Sequence, residues 1–225
     1  MFRIVRAAVV AGLAAFTAVA AAQSNGAALL ASAVAATQGA KADYAFDYEL
    51  GTSKQDWRAR FDPRTSPRLQ LVQPRREELK GDERRAFDRI AEQMEGVSWC
   101  ASENIARVED LRLVREDETA AVYAFQPNAE SVRGEQARRF ADRLRGELTL
   151  IKATPDISRI RLYAPEGFSP IPLVRVDAIN IAITCETAPN GRRYAAETVT
   201  DLRGTALGQA FSERSVQRAR NLTAR

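Results

Sequence analysis

The sequence predicts an α+β fold: one curved antiparallel sheet that forms an unclosed half-barrel, covered by about three helices. Three observations predict it. Period-2 alternation recurs in about ten segments, against about three with helical spacing. Their order is helix, strands, helix, hairpin, helix, meander, which suits helices laid on one side of a single sheet. Between 173 and 186 the larger apolar residues change parity, from Val174 and Val176 to Ile179, Ile181, Ile183 and Cys185. That change predicts a bulge near Asp177-Ala178. A sheet that bends there and keeps its helices inside encloses an apolar hollow, a plausible pocket.

The chain begins with Arg3 and Arg6, followed by the uncharged small and apolar run Ala7–Ala20 and then Ala20-Ala21-Ala22 before Gln23. This is the pattern of a secretory signal with a small-residue cleavage site. A membrane anchor needs about 20 apolar residues, more than this run supplies. No cysteine lies near residue 22 to accept a lipid. Residues 1–22 are therefore expected to be removed, leaving one soluble domain, 23–225, in the periplasm.

Ser24 to Gln38 is alanine-rich, with Leu30 and Val34 four apart and Gly39 where a helix would end. Tyr44, Phe46, Tyr48 and Leu50 alternate with Ala45, Asp47 and Glu49, and Trp57, Ala59 and Phe61 with Arg58, Arg60 and Asp62, as in half-buried strands. Gly51 to Lys54 is the expected turn, and a third strand spans 68–72. Asp82 is the expected cap of a helix whose Phe87, Ile90, Ala91 and Met94 form one stripe, ending at Gly96. A hairpin is expected over 107–115 and 119–126, and a short basic helix over 136–145. Strands follow at 147–153, 157–164, 173–186, 193–203 and 209–221, with Asn190-Gly191 as a hairpin turn.

Composition narrows the function. The chain has no histidine and two cysteines, which excludes a Ser-His-Asp triad, a His-ligated zinc and a His general base. No catalytic signature replaces them, so no enzyme activity, cofactor or metal is expected. The formal net charge of +4 loses two with Arg3 and Arg6, and no dense basic block carries aromatics, so nucleic acid is not an expected partner. In an oxidising compartment the even pair Cys100 and Cys185 is expected to close as a disulfide.

The layout resembles the periplasmic outer-membrane lipoprotein carrier family (LolA/LolB-like). The resemblance lies in the aromatic strands YAFDYEL (44–50) and WRARF (57–61), in GELTLIKATPDISRIRLYAPEGF (146–168) and in the hairpin across PNG (189–191). It covers nearly all of 24–225. The family's arginine-tryptophan strand pattern is represented only by the looser Trp57-Arg58-Ala59-Arg60-Phe61. The resemblance implies an unclosed barrel that holds acyl chains under helical cover.

Phe46, Trp57, Phe61, Phe125 and Ile181 are the candidate lining of that hollow. The alternative is that they, like Tyr44, Tyr48, Tyr123, Leu148, Leu150, Ile179 and Ile183, fill an ordinary core between sheet and helix. Glu116, Asp117 and Glu118 lack calcium-loop spacing and read as a solvated hairpin tip. Asp47 and Glu49 are expected to pair with Arg58 and Arg60 across strands. Arg75, Arg76, Arg84, Arg85, Arg138, Arg139, Arg143 and Arg145 could touch an anionic membrane surface in passing, but solvated helix faces are the plainer use. Arg214, Arg218 and Arg220 share parity on the last strand, where they would discourage edge pairing.

The expected function is a soluble, monomeric, periplasmic binding protein that holds a lipid acyl chain or a lipidated protein without catalysis. The alternative is an envelope interaction module with a filled core. Mass analysis of the exported protein is expected to place the N-terminus at Gln23, within a few residues. An intact Met1 retained on membranes would identify the run as an anchor.

Overall fold

The computed structural model describes residues 26–38, 44–105, 108, 110–129 and 138–225. Helix α1 covers 26–37. It is followed by β1 (Tyr44–Gly51), β2 (Asp56–Phe61), β3 (Leu69–Gln73), α2 (Gly81–Gln93), α3 (Cys100–Asn104), β4 (Arg112–Glu116) and β5 (Ala120–Phe125). The remaining strands are β6 (Arg145–Ile151), β7 (Asp156–Tyr163), β8 (Phe168–Ile171), β9 (Val174–Thr187), β10 (Arg193–Ala206) and β11 (Gln209–Ala224). All pairings are antiparallel, in the order β3-β2-β1-β11-β10-β9-β7-β6-β5-β4, with β8 on β9. The sheet does not close, so the α+β half-barrel is the architecture.

The predicted bulge is present where the parity changes. Arg203 faces Ala178 while Gly204 faces Val176, which leaves Asp177 as the extra residue. A second irregularity lies at Ala196, between the Ala195–Cys185 and Glu197–Thr184 pairs.

Several expectations are corrected. The last strand is an edge only over 209–215: from Val216 onward β1 returns to pair with it, from Tyr44 opposite Ala224 to Gly51 opposite Val216. Arg218 therefore sits in the sheet interior and pairs with Glu197 at 2.7 Å, whereas Arg214, on the edge stretch, pairs with Asp201 at 2.7 Å. Helix α2 is capped at Lys80, whose backbone N–H donates to the Glu83 carboxylate at 2.9 Å, and not by Asp82. Of the stretch expected as helix at 136–145, Arg138 is helical, Ala141–Arg143 make a 3-10 turn and β6 begins at Arg145; 136 and 137 lie outside the described residues. The first hairpin strand starts only at Arg112. The Asn190-Gly191 hairpin turn is present as expected between β9 and β10, with Gly191 at a positive φ of 79°. Strand β8 and helix α3 were not expected, being short and holding Pro170 and a polar Ser-Glu-Asn run respectively.

Two buried clusters form, one on each half of the concave face. In the first, Leu30 and Ala33 of α1 and Cys100, Ala101 and Ile105 around α3 pack on Tyr123, Phe125, Leu148, Leu150, Ile157 and Ile160. Helix α1 comes very close to β5: a Cβ on Gly26 would stand 2.3 Å from the Tyr123 ring, so only glycine fits. In the second, Phe87 of α2 meets Trp57 edge-on at 5.6 Å, and Phe46 stacks on Phe61 at 4.8 Å. Trp99, edge-on to Tyr44 and bridged to Tyr194, completes it.

The Cys100–Cys185 disulfide is formed and ties α3 to β9. Beside it, buried Asp156 accepts the backbone N–H groups of Ile157 (2.8 Å) and Arg193 (2.9 Å), joining the starts of β7 and β10. Burial pushes its carboxyl above the ordinary carboxylate value, against the opposing pull of those two donors.

Alkylation of the oxidised protein without reductant is expected to add no mass. Reduction should cost on the order of 4 kcal/mol at most, given the loop-entropy limit for so wide a separation. Asp156→Ala strands two N–H donors and should cost about 1–3 kcal/mol for each in urea denaturation.

Candidate functional site

Cross-strand rows determine where the concave face is covered. One row runs Tyr123, Leu148, Ile160, Ile183, Thr198, Gln217, Leu50, Trp57, from β5 through β11 to β2. Its two ends are apolar and its centre is polar. The next row repeats the pattern, with Leu162 and Ile181 followed by Thr200 and Ser215. Helices gain by burying apolar side chains and gain nothing by burying threonine and glutamine without partners. Accordingly α1 and α3 sit on one apolar flank and α2 on the other.

The middle is an open hollow of about 520 Å³. Ile160, Leu162, Ile181 and Ile183 form one wall; Phe46, Tyr48, Ile90 and Met94 form the other. Thr198, Thr200 and Gln217 lie on the floor. The segment Gly96–Ser98 and residues Glu103 and Asn104 stand at the rim. Burial pushes the Tyr48 phenol up to about 12, so it stays neutral across any physiological pH. The volume is within the range of small-molecule sites, which is about 300–1,000 Å³.

Of the candidate lining residues, Phe46 and Ile181 border the hollow. Trp57, Phe61 and Phe125 are buried beside it in the two clusters and are absent from its lining. The reason is local. Helix α2 lands on Trp57, Phe61 is stacked beneath Phe46, and the Phe125 ring lies over Gly146, where a Cβ would stand 2.2 Å from it. Thr198, Thr200 and Gln217 escaped sequence reasoning, although polar residues at the inward parity of a long strand were the signal that could have found them.

Charged side chains pair on the convex face of the sheet, on the outside of α2 and at the β4–β5 tip. Asp47 pairs with Arg60 at 2.7 Å and accepts from Asn221 Nδ2 at 2.7 Å. The Asn221 hydrogen bond, with Arg60 beside it, holds the Asp47 carboxyl below its usual value. Arg75 and Arg76 pair with Glu78 and Asp88, at 2.8 and 2.6 Å. At the acidic hairpin tip, Asp117 accepts the Thr119 and Ala120 N–H groups and Glu116 pairs with Lys152. Among the described residues no cluster of His, Cys, Asp or Glu could hold a metal ion, and no helix is long and apolar enough to cross a membrane.

No family model matches the chain, nor does any curated protein or solved structure. The hollow is therefore read from its own geometry.

The placements predict unequal costs. Phe61→Ala and Phe125→Ala should each lose about 3–5 kcal/mol, as fully packed aromatics do. Ile181→Ala, at the open wall, should lose less than about 2 kcal/mol, the lower bound for a fully buried isoleucine. Urea denaturation of the three variants checks this; equal losses would mean that the hollow is filled.

Proposed function

We propose that this protein is an exported binding protein that holds a lipid acyl chain, or the acyl chain of a lipidated partner, in the concave hollow and carries out no chemistry on it. The observation that carries the proposal is the polarity of the rows: two apolar walls with a narrow polar floor between them. An acyl chain would lie against Ile160, Leu162, Ile181 and Ile183 on one side and Phe46, Ile90 and Met94 on the other. Its ester or amide oxygens would meet donors from Thr198, Thr200 and Gln217, which would otherwise remain solvated. The disulfide fits an oxidising compartment, in keeping with the signal-like N-terminus. The resemblance to the lipoprotein carriers points the same way, since an unclosed barrel with helices over its inner face is the form that family uses.

The test is solvent extraction of natively purified protein followed by mass spectrometry, with binding of a fluorescent fatty acid to the extracted protein. An acyl-bearing species in the extract, or saturable binding of the probe, is expected. Ile181→Trp should narrow the hollow and weaken probe binding while leaving the fold intact by thermal melting. Parent protein that carries no lipid and binds no probe would favour the interaction-module reading.

A further inference from the structure

Strands β9, β10 and β11 run on past the sheet that flanks them. Strand β1 ends opposite Val216 of β11, and β7 ends opposite Asn180 of β9. Beyond those points the three strands continue for about six residues, roughly 20 Å at the usual rise, with only β8 beside them. The extension is a tongue that buries little besides Val176 and Gly204.

Its apex is apolar and lacks charge. Two turns meet there, Pro172-Leu173 between β8 and β9 and Leu207-Gly208 between β10 and β11, joined by the Leu207 N–H donating to the Leu173 carbonyl at 2.9 Å. The stretches 168–174 and 204–212 contain no Asp, Glu, Lys or Arg. Ile171, Leu173 and Leu207 are 59, 74 and 77% exposed. Neither turn needs a leucine: Leu173 has φ 66° and Leu207 φ 51°, positions that glycine or asparagine ordinarily occupies. Nor does the core need them, since both point into solvent.

We infer that this apex is a membrane-docking tip, with Ile171, Leu173 and Leu207 entering the acyl boundary of a lipid surface. A protein partner fits less well. A stable interface needs roughly 800 Å² from each side, whereas three aliphatic side chains on a convex apex supply far less. Charges also return within a few residues on each strand, at Arg175, Asp177, Arg203 and Glu213. The first of these below the apex is a cation, Arg175, which pairs with Asp177 at 2.9 Å and sits at headgroup depth when the leucines are inserted. The inference does not rest on what the hollow holds.

The test reads the apex itself, because the apolar run at 7–20 could also enter a bilayer. Native Trp57 and Trp99 are both buried, so Leu207→Trp adds the one exposed indole among the described tryptophans. Vesicles of phosphatidylethanolamine with a minority of phosphatidylglycerol are expected to shift its emission to the blue, and brominated acyl chains to quench it. Leu173→Ser and Ile171→Ser in that background should each weaken vesicle binding by about tenfold, with unchanged thermal melting because both side chains are solvent-exposed. An indole at 207 that neither shifts nor is quenched overturns the inference. So do a blue shift and quenching at 207 that survive both serine substitutions at full strength.

Discussion

The rest of the structure depends on the pairing of β1 with β11. The first strand and the last lie side by side in the middle of the sheet, from Tyr44 opposite Ala224 to Gly51 opposite Val216. Without that ladder the β1-β2-β3 layer and its helix α2 would have no sheet to continue, and the second core cluster would lose its link to the first. The pairing is reinforced on the convex side: Asp47 of β1 binds Arg60 of β2 and Asn221 of β11, and Arg218 of β11 pairs with Glu197 of β10. Joining segments at opposite ends of the chain carries the longest loop closure in the sheet. The disulfide and Asp156 tie down the other half, where α3, β7, β9 and β10 converge.

With the sheet so joined, three helices among the described residues cover a wide face, and side-chain polarity decides where they rest. The apolar ends of each cross-strand row attract them, and the threonine and glutamine centre does not. Threonine is well suited to that centre because its β-branched stem favours a strand while its hydroxyl tolerates exposure. The hollow therefore follows from where polar residues were placed on β10 and β11.

Much of this was legible in the sequence. Alternation located β1, β2 and the long C-terminal strands, and the parity shift between Val176 and Ile179 located the bulge at Asp177. Cysteine parity and the N-terminal pattern anticipated the disulfide. Less was legible wherever the answer depended on what lies across a face. Alternation shows that Trp57, Phe61 and Phe125 point inward, but only tertiary packing shows that α2 and neighbouring rings occupy the space in front of them. The interior position of β11 from Val216 onward was equally hidden, since pairing between the ends of a chain leaves no local trace. Strand β8 has too few residues, and a proline among them, to give a periodic signal.

The hollow and the apex stand on the same three strands, which gives the long β9–β11 extension a consistent physical sense. Below the hollow the inward row is Ile179 and Leu202 with Glu213, and the next is Val176, Gly204 and Phe211 with Phe168 paired to Val176. Most of these side chains are apolar, and Phe140 packs against Phe168 at 5.5 Å to widen the strip. From Thr198 to Ala206 the distance is about 26 Å at the usual strand rise. A tongue that served only to complete the sheet would be expected to expose polar residues along both faces, as protruding strands commonly do. This one keeps its inward face mostly apolar from the hollow to the tip, and the only charge on it, Glu213, lies opposite Leu202. The apolar part of that track, Leu202 to Ala206, is about 13 Å long; it costs solubility unless something moves along it or covers it, and an acyl chain passing between a lipid surface and the hollow would do both.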